Sequence, residues 1–549
     1  MPHDVAAGAR RRDAGILAIG LIAIAVCYGP TLLAHVQRGV VRGVVNDDAR
    51  EWIAPFVRGP NGSPFHGDLL QDYAAALTPP GVWVFYTLAA RVADPLFVSS
   101  VLQYALYGLF LVAMGSAAAR FGGVLAGLAA VALCLSGEIF LDRIAGGLAR
   151  SFGFPILACG LAALLHGRLR WLAAVVAVGA LFYAPPALLL GVTLALVALV
   201  APQRWRGDLA AWSWPRRLLL VGATAFVGGL GQLPTAIAAV PYGARLAPAD
   251  VADYSEVGPQ GRFSREDAFP TQPYSVAVAD DVARFLYGSS DRDRQAPQAA
   301  LAAIAALAAL LLLGRREPAA LRLVVFVLVA VAGYQAAVQC APWLYLPQRY
   351  VRYPLPVAFV LVVVAVPSLL VRRARNPTLP ALLAAAGLAL WMGFGPHGSA
   401  TAGLNTATQR TPLLDYLAAL PEDVLIAGWP SAMDGVPLLA HRSAFLTQEN
   451  ALAFQRGYVE QTRVRMGALI AAYFATDAAP LRALHEQFGV THLVFDTRHY
   501  DGPPPLSYLP FTPLIAEQMR DKRPGDYLLP QLRELAVFSD GTVAVLDLR

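Results

Sequence analysis

Apolar residues in this chain come in long blocks of Leu, Ala and Val, set apart by short polar stretches rich in Arg. A membrane-spanning helix needs roughly 20 apolar residues, with a range near 17–25. On that measure spans are predicted at about 15–36, 96–119, 122–138, 152–167, 171–184, 185–201, 217–240, 298–314, 319–340, 355–371 and 379–395, about eleven helices. Several are short, and 171–201 admits another division around Pro185-Pro186. Residues 80–93 (PGVWVFYTLAARVA) are apolar too, but a length of about 14 residues suits an interfacial helix on the outer face.

The arginines test this topology. Basic residues concentrate in cytoplasmic loops. With the N-terminus cytoplasmic, the inside loops hold Arg120, Arg168/Arg170, Arg204 to Arg217, Arg315-Arg316 and Arg372-Arg373-Ala374-Arg375. The outside loops are then 37–95, 138–151, 241–297 and 341–354. If residues 80–93 spanned, every later basic loop would move outside.

The tail from Pro396 changes character. Asp423 to Ala427 and Thr491 to Phe495 read as strands, and Phe454 to Ala475 and Ala479 to Phe488 as helices. Leu535 to Phe538 and Val543 to Leu548 flank Ser539-Asp540-Gly541-Thr542, a hairpin signal. The expectation is a polytopic α-helical membrane protein, with a membrane domain at 1–395 and a soluble α/β domain at 396–549 on the outer side.

Composition agrees. The 549 residues are 57% hydrophobic and 15% charged, against about 25% charged in a soluble domain. The net charge of +6 sits in short loops between apolar blocks, which argues for membrane orientation and against nucleic acid. Cys27, Cys134, Cys159 and Cys340 lie in or beside apolar blocks, with neither metal-ligand spacing nor a disulfide framework. The first block follows Arg10-Arg11-Arg12. Its length of about 20 residues and the lack of a clean cleavage site favour an uncleaved helix over a signal peptide.

Three polar groups on the outer side are candidates for chemistry. The first is Asn46-Asp47-Asp48-Ala49-Arg50-Glu51. Clustered carboxylates at a membrane surface raise one another's pKa and suit proton abstraction. A helix N-cap is the bland alternative. The second is Glu138, Asp142 and Arg143, followed by Arg150; pairing between these acids and Arg143 would also explain it. The third is Tyr345 to Pro354, with Arg349, Tyr350 and Arg352. Arg on the outer side suits a lipid phosphate, while an aromatic belt with snorkelling Arg is the alternative. His66, Asp68 and the acids and bases of 241–297 (Tyr254, Glu256, Arg262, Arg265, Glu266, Asp267) single out no role, and Asn61-Gly62-Ser63 is a weak sequon before Pro64.

The order of these features resembles the GT-C superfamily of membrane glycosyltransferases, which includes the protein O-mannosyltransferases and the aminoarabinose transferases of lipid A. One helix followed by Asp47-Asp48 in a large outer loop fits. Leu77 to Tyr86 is similar to the family's HPPLYY segment, with Thr78 in place of His. Gly115 to Gly123, Arg150 to Arg170 and Arg349 to Pro354 also fit, and the tail from Trp429 resembles the outer domain of related bacterial proteins.

The resemblance implies a sugar donor on a polyprenyl phosphate, transferred with inversion to a glycan, lipid or protein acceptor on the outer face of a bacterial inner membrane. It makes Asp47 or Asp48 the general base, with Glu51, Glu138 and Asp142 as supporting acids. Arg349 and Arg352, beside Tyr350, would hold the donor phosphate. No cofactor is implied and no metal site is drawn, although one branch of the superfamily uses a divalent metal. A transporter or flippase of lipid-linked saccharides and a non-catalytic assembly protein are the competing classes. Spans almost free of charge at their centres disfavour the transporter.

Overall fold

A computed structural model of the chain describes residues 2–57, 65–257, 304–340, 344, 346–452, 454–501 and 510–549. Asn61 to Pro64, most of the 241–297 loop (Arg262 to Asp267 included), the start of the 298–314 span and Tyr345 lie outside these.

The membrane part opens with α1 (Pro2–Val36). The first outer loop then carries α2 (Ala49–Trp52), α3 (Leu69–Leu77) and α4 (Pro80–Ala89). Next come α5 (Pro95–Ser136), α6 (Glu138–Ile144), α7 (Gly153–Leu165), α8 (Leu169–Phe182), α9 (Ala184–Ala195), α10 (Trp214–Leu230) and α11 (Leu233–Ala238). The last are α12 (Ile304–Gly314), α13 (Pro318–Gln339), α14 (Arg349–Arg352), α15 (Pro354–Arg373) and α16 (Thr378–Phe394).

Every apolar block predicted to span overlaps one of these helices. By length and composition, five stretches among the described residues are able to cross a membrane: Asp13–Val41, Pro95–Ser136, Trp214–Ala238, Pro318–Gln339 and Arg349–Arg373. Five further apolar helices among the described residues run 10–17 residues: Ala149–Leu165, Leu169–Phe182, Ala184–Val200, Ile304–Gly314 and Thr378–Phe394.

The 42-residue α5 is two helices rather than one. Gly122 and Gly123 leave helical geometry, and Gly123 has φ +68°, open to glycine. A Cβ on Gly127 would stand 3.0 Å from the Gly115 carbonyl oxygen. In a straight helix those residues would be about 18 Å apart along the axis, so the chain reverses between them, where the apolar pattern divides the block.

Arg170 and Arg322 are held beside the C-terminal end of α7. Buried Arg322 donates to the carbonyl oxygens of Trp205 (2.7 Å), Leu164 and Leu165, and Arg170 reaches Asp208 at 3.0 Å. Asp48, Arg150 and the tail occupy the other end.

The tail holds a five-stranded sheet of order β4-β3-β5-β7-β6: β3 (Leu425–Gly428), β4 (Ser443–Ala444), β5 (His492–Asp496), β6 (Phe538–Asp540) and β7 (Val543–Asp547). β4, β3 and β5 run parallel; β7 and β6 form the predicted hairpin. Every residue of β3 and β5 is buried, as expected of strands covered on both faces. The helix Arg456–Tyr473 packs on one side with Trp429 and Phe445, and the helix Pro412–Ala419 on the other with Met433 and Val436.

Two short strands were not foreseen. β1 (Val44–Val45) pairs antiparallel with β2 (Thr406–Ala407), which zips the start of the tail to the residues just before Asp47. Val45 and Thr406 gave too short a pattern to read as strands.

Candidate functional site

Asp48 begins α2 at its N-cap position, but its carboxylate makes no capping bond. It accepts instead from Arg150 Nη1, while Arg150 Nη2 donates to Asn46 Oδ1 at 2.8 Å. Both partners of the ion pair are partly covered, with side chains 17% and 24% exposed. Asp47 turns its carboxylate elsewhere: Oδ1 accepts from the Asp48 N–H at 3.1 Å. No ion pair to Asp47 occurs among the described residues. Glu51, within α2, is buried, whereas Asp48 is part-open.

Arg150 reaches Asn46 because two glycines let its loop approach. Gly146 (φ +89°) and Gly147 (φ +59°) are in the left-handed region. A Cβ on Gly146 would stand 2.9 Å from the Asn46 Cβ, and one on Gly147 would stand 2.8 Å from the Tyr86 hydroxyl. The loop is pinned from below. The Tyr86 hydroxyl donates to Gly147 O, the Ser99 hydroxyl to Gly146 O, and Gly146 N–H to Gln103 Oε1.

Arg150 is also within electrostatic reach of Tyr353, Arg349 and Asp142. Tyr353 is buried against Phe154 and Tyr183, with ring centroids 5.0 and 5.6 Å away, and receives a hydrogen bond from Arg349 Nη1 at 3.3 Å. All three polar groups read from the sequence therefore contribute to one locus. The joining residue is Arg150, which the sequence placed after the second group and gave no role of its own.

Not every candidate joins it. Glu138 is exposed and faces a separate small crevice with Tyr28, Thr31, His397 and Ser399. Asp142 reaches it only through charge and pairs directly with Arg143 at 3.4 Å, one of the pairings weighed for that loop. His66 is exposed and offers only its backbone N–H, to Ser443 Oγ. Tyr350 is buried at the end of an apolar groove of ≈ 800 Å³ that runs between α9 and α13. The groove is walled by residues such as Val192, Leu196, Val329 and Ala332, and it reaches Pro202 and Trp205 at its other end.

The tail closes over the acids, which the sequence did not show. Asp47 N–H donates to Asn405 Oδ1 (2.9 Å) and Asn46 Nδ2 to Gly403 O (2.9 Å). Arg50 lies 3.5 Å from both Asp434 and Glu449, two tail acids that are themselves buried. Asp68 caps α3 through Gln71 N–H and accepts Ala444 N–H from the edge strand β4. Burial pushes the Asp68 carboxyl up to about 6. Among the described residues no cluster of three or more His, Cys, Asp or Glu is placed to hold a metal ion.

No protein-family model matches the chain, and no curated protein does. Solved structures similar to it include the archaeal oligosaccharyltransferase AglB from Archaeoglobus fulgidus in complex with an inhibitory peptide and a dolichol-phosphate. That match has 12% identity over 96% of this chain and 72% of that one, with a TM-score of 0.49. The apo form of the A. fulgidus oligosaccharyltransferase gives 13% identity over 89% and 70%, TM-score 0.49. ArnT from Cupriavidus metallidurans in the apo state gives 16% identity over 99% and 98%, TM-score 0.40.

Proposed function

We propose that this protein is a multi-pass membrane glycosyltransferase of GT-C type. On this reading it moves a sugar from a polyprenyl-phosphate-linked donor to an acceptor at the outer face of a bacterial inner membrane. One observation carries it: Asp47 and Asp48 stand at the bundle end where Arg349 lies beside Tyr353, and the neighbouring Tyr350 closes a long apolar groove. The groove suits a prenyl chain, and Arg349 and Arg352, on the same short helix as Tyr350, suit the phosphate that ends such a chain.

The ion pair divides the labour between the two aspartates. Asp48 is spent on its ion pair with Arg150. Asp47 is the better general base. Its carboxylate takes the proton from the acceptor hydroxyl or amine as that atom attacks the anomeric carbon. The bond from that carbon to the phosphate oxygen breaks, and its electron pair leaves with the phosphate. Arg349 and Arg352 offset the growing negative charge. Attack opposite the leaving phosphate inverts the anomeric centre.

The test is turnover of polyprenyl-phosphate-linked sugars by purified protein in detergent or nanodiscs. Asp47→Asn is expected to abolish transfer while donor binding survives. Transfer at the wild-type rate by Asp47→Asn removes the base assignment. Consumption of no such donor by the wild type removes the enzyme class. Movement of the intact lipid-linked sugar between leaflets, without transfer, would favour a flippase.

A further inference from the structure

We propose that the C-terminal domain is a working part of the site: Asp434 and Glu449 act through Arg50 as positioning residues for Asp47 and Asp48. The inference rests on the function proposed above for its catalytic meaning, but on geometry alone for the positioning.

The α2 helix that follows Asp48 has only four residues, too short to hold its own shape. Its conformation must be imposed from outside. Arg50, in the middle of it, supplies the handle. Arg50 Nη1 is 3.5 Å from Asp434 Oδ2, Nη2 is 3.5 Å from Glu449 Oε1, and Nε donates to the Asp47 carbonyl oxygen at 3.3 Å. One guanidinium thus ties two tail acids to the backbone of a candidate base. Planar, forked donors do this where an ammonium would not.

The acids are themselves held. Asp434 Oδ1 accepts the Gln448 N–H at 2.7 Å, so its loop and the turn carrying Glu449 move together. Asp434 follows the short helix Pro430–Met433, which leaves the end of β3. The path from the sheet to Asp47 therefore runs through short, buried links. Asn405, accepting the Asp47 N–H, holds the preceding peptide of the same residue. With the tail in place, the carboxylates have a defined aim; with Arg50 released, α2 loses its tie to Asp434 and Glu449.

The experiment compares Asp434→Asn, Glu449→Gln, Arg50→Ala and the triple variant with the wild type in the full-length protein. It has two readouts: hydrogen exchange of peptides within 44–57, and steady-state transfer from a polyprenyl-phosphate-linked sugar. The charge-removing variants are expected to speed local exchange about tenfold while exchange in the α5–α7 core is unchanged. They are expected to lower kcat about tenfold or more, with donor KM within about twofold, because aim rather than affinity is lost.

Arg50→Ala should reproduce both effects, and the triple variant should be no worse than Arg50→Ala. Arg50→Lys, which keeps the charge but not the fork, should fall between, and it serves if a tail variant fails to fold. Exchange and kcat both at wild-type levels overturn the proposal. So does an effect of Glu449→Gln that persists in full on the Arg50→Ala background. If the wild type consumes no donor, the enzyme reading fails and the exchange arm alone decides the positioning.

Discussion

Arg150 holds Asp48 and Asn46 at once, one guanidinium nitrogen on the carboxylate and the other 2.8 Å from the amide oxygen. A residue 102 positions downstream thereby sets the geometry of the first outer loop. Arg150→Ala would leave Asp48 part-buried without its cation. The expected cost is about 1–2 kcal/mol, discounted for partial exposure, together with near-complete loss of transfer. Thermal unfolding in detergent and donor turnover check the two parts. Arg150→Lys should recover more stability than activity, since the second hydrogen bond is lost.

Gly147→Ala is a sharper probe of the same contact. The residue sits at φ +59°, and the added methyl would meet the Tyr86 hydroxyl and the Ser99 carbonyl at 2.8 and 2.9 Å. The substitution should cost on the order of 2–3 kcal/mol, part strain and part clash. Turnover should fall even though no charged group has changed. A variant with wild-type melting temperature and rate would show that the loop has room to spare.

Filling the apolar groove should affect the donor and spare the chemistry. Ala332→Trp puts an indole into a wall of the groove. On the proposed reading donor KM rises about tenfold or more and the preference moves toward shorter prenyl chains, with kcat at saturation little changed. A panel of donors of graded chain length reads this directly. Equal loss for all chain lengths would place the lipid elsewhere.

The buried Asp68 predicts a pH dependence. Its folded pKa, about 6, lies above the unfolded value of 3.8, with burial as the main cause. The folded state therefore prefers the protonated acid. That contribution to stability is fully present below pH 3.8 and is lost as pH rises through about 6. The whole loss is on the order of 3 kcal/mol. Asp68→Asn should flatten the melting curve against pH over this window, at the expense of one of the two N–H bonds that Asp68 accepts. Equal slopes for wild type and variant would show that Asp68 is ionised in the fold without penalty.

Much of the architecture was legible because it follows from local rules. The period and length of the apolar blocks placed the helices. The division of the apolar block between 119 and 122 marked a chain reversal, and Ser539 to Thr542 marked a hairpin. The helix Ala479–Phe488 appears where its pattern put it. The candidate acids were legible too, since carboxylates beside an apolar block stand out wherever they point. Glu138 shows the limit of that signal: it has the same composition cue as Asp48 but faces another crevice.

The sequence by itself determined that this is a chain of apolar helices with a mixed α/β tail, and that Asp47, Asp48, Arg349 and Arg352 were worth watching. Those properties reside in hydrophobic periodicity and residue type, which need no partner. Only the tertiary structure decided that Arg150 joins the three groups, that Asp48 is paired while Asp47 is not among the described residues, and that Asn405, Asp434 and Glu449 of the tail grip the loop. An ion pair or hydrogen bond between residues hundreds of positions apart leaves no periodic trace. It exists because packing brings two side chains within about 3 Å, and packing is a property of the whole fold.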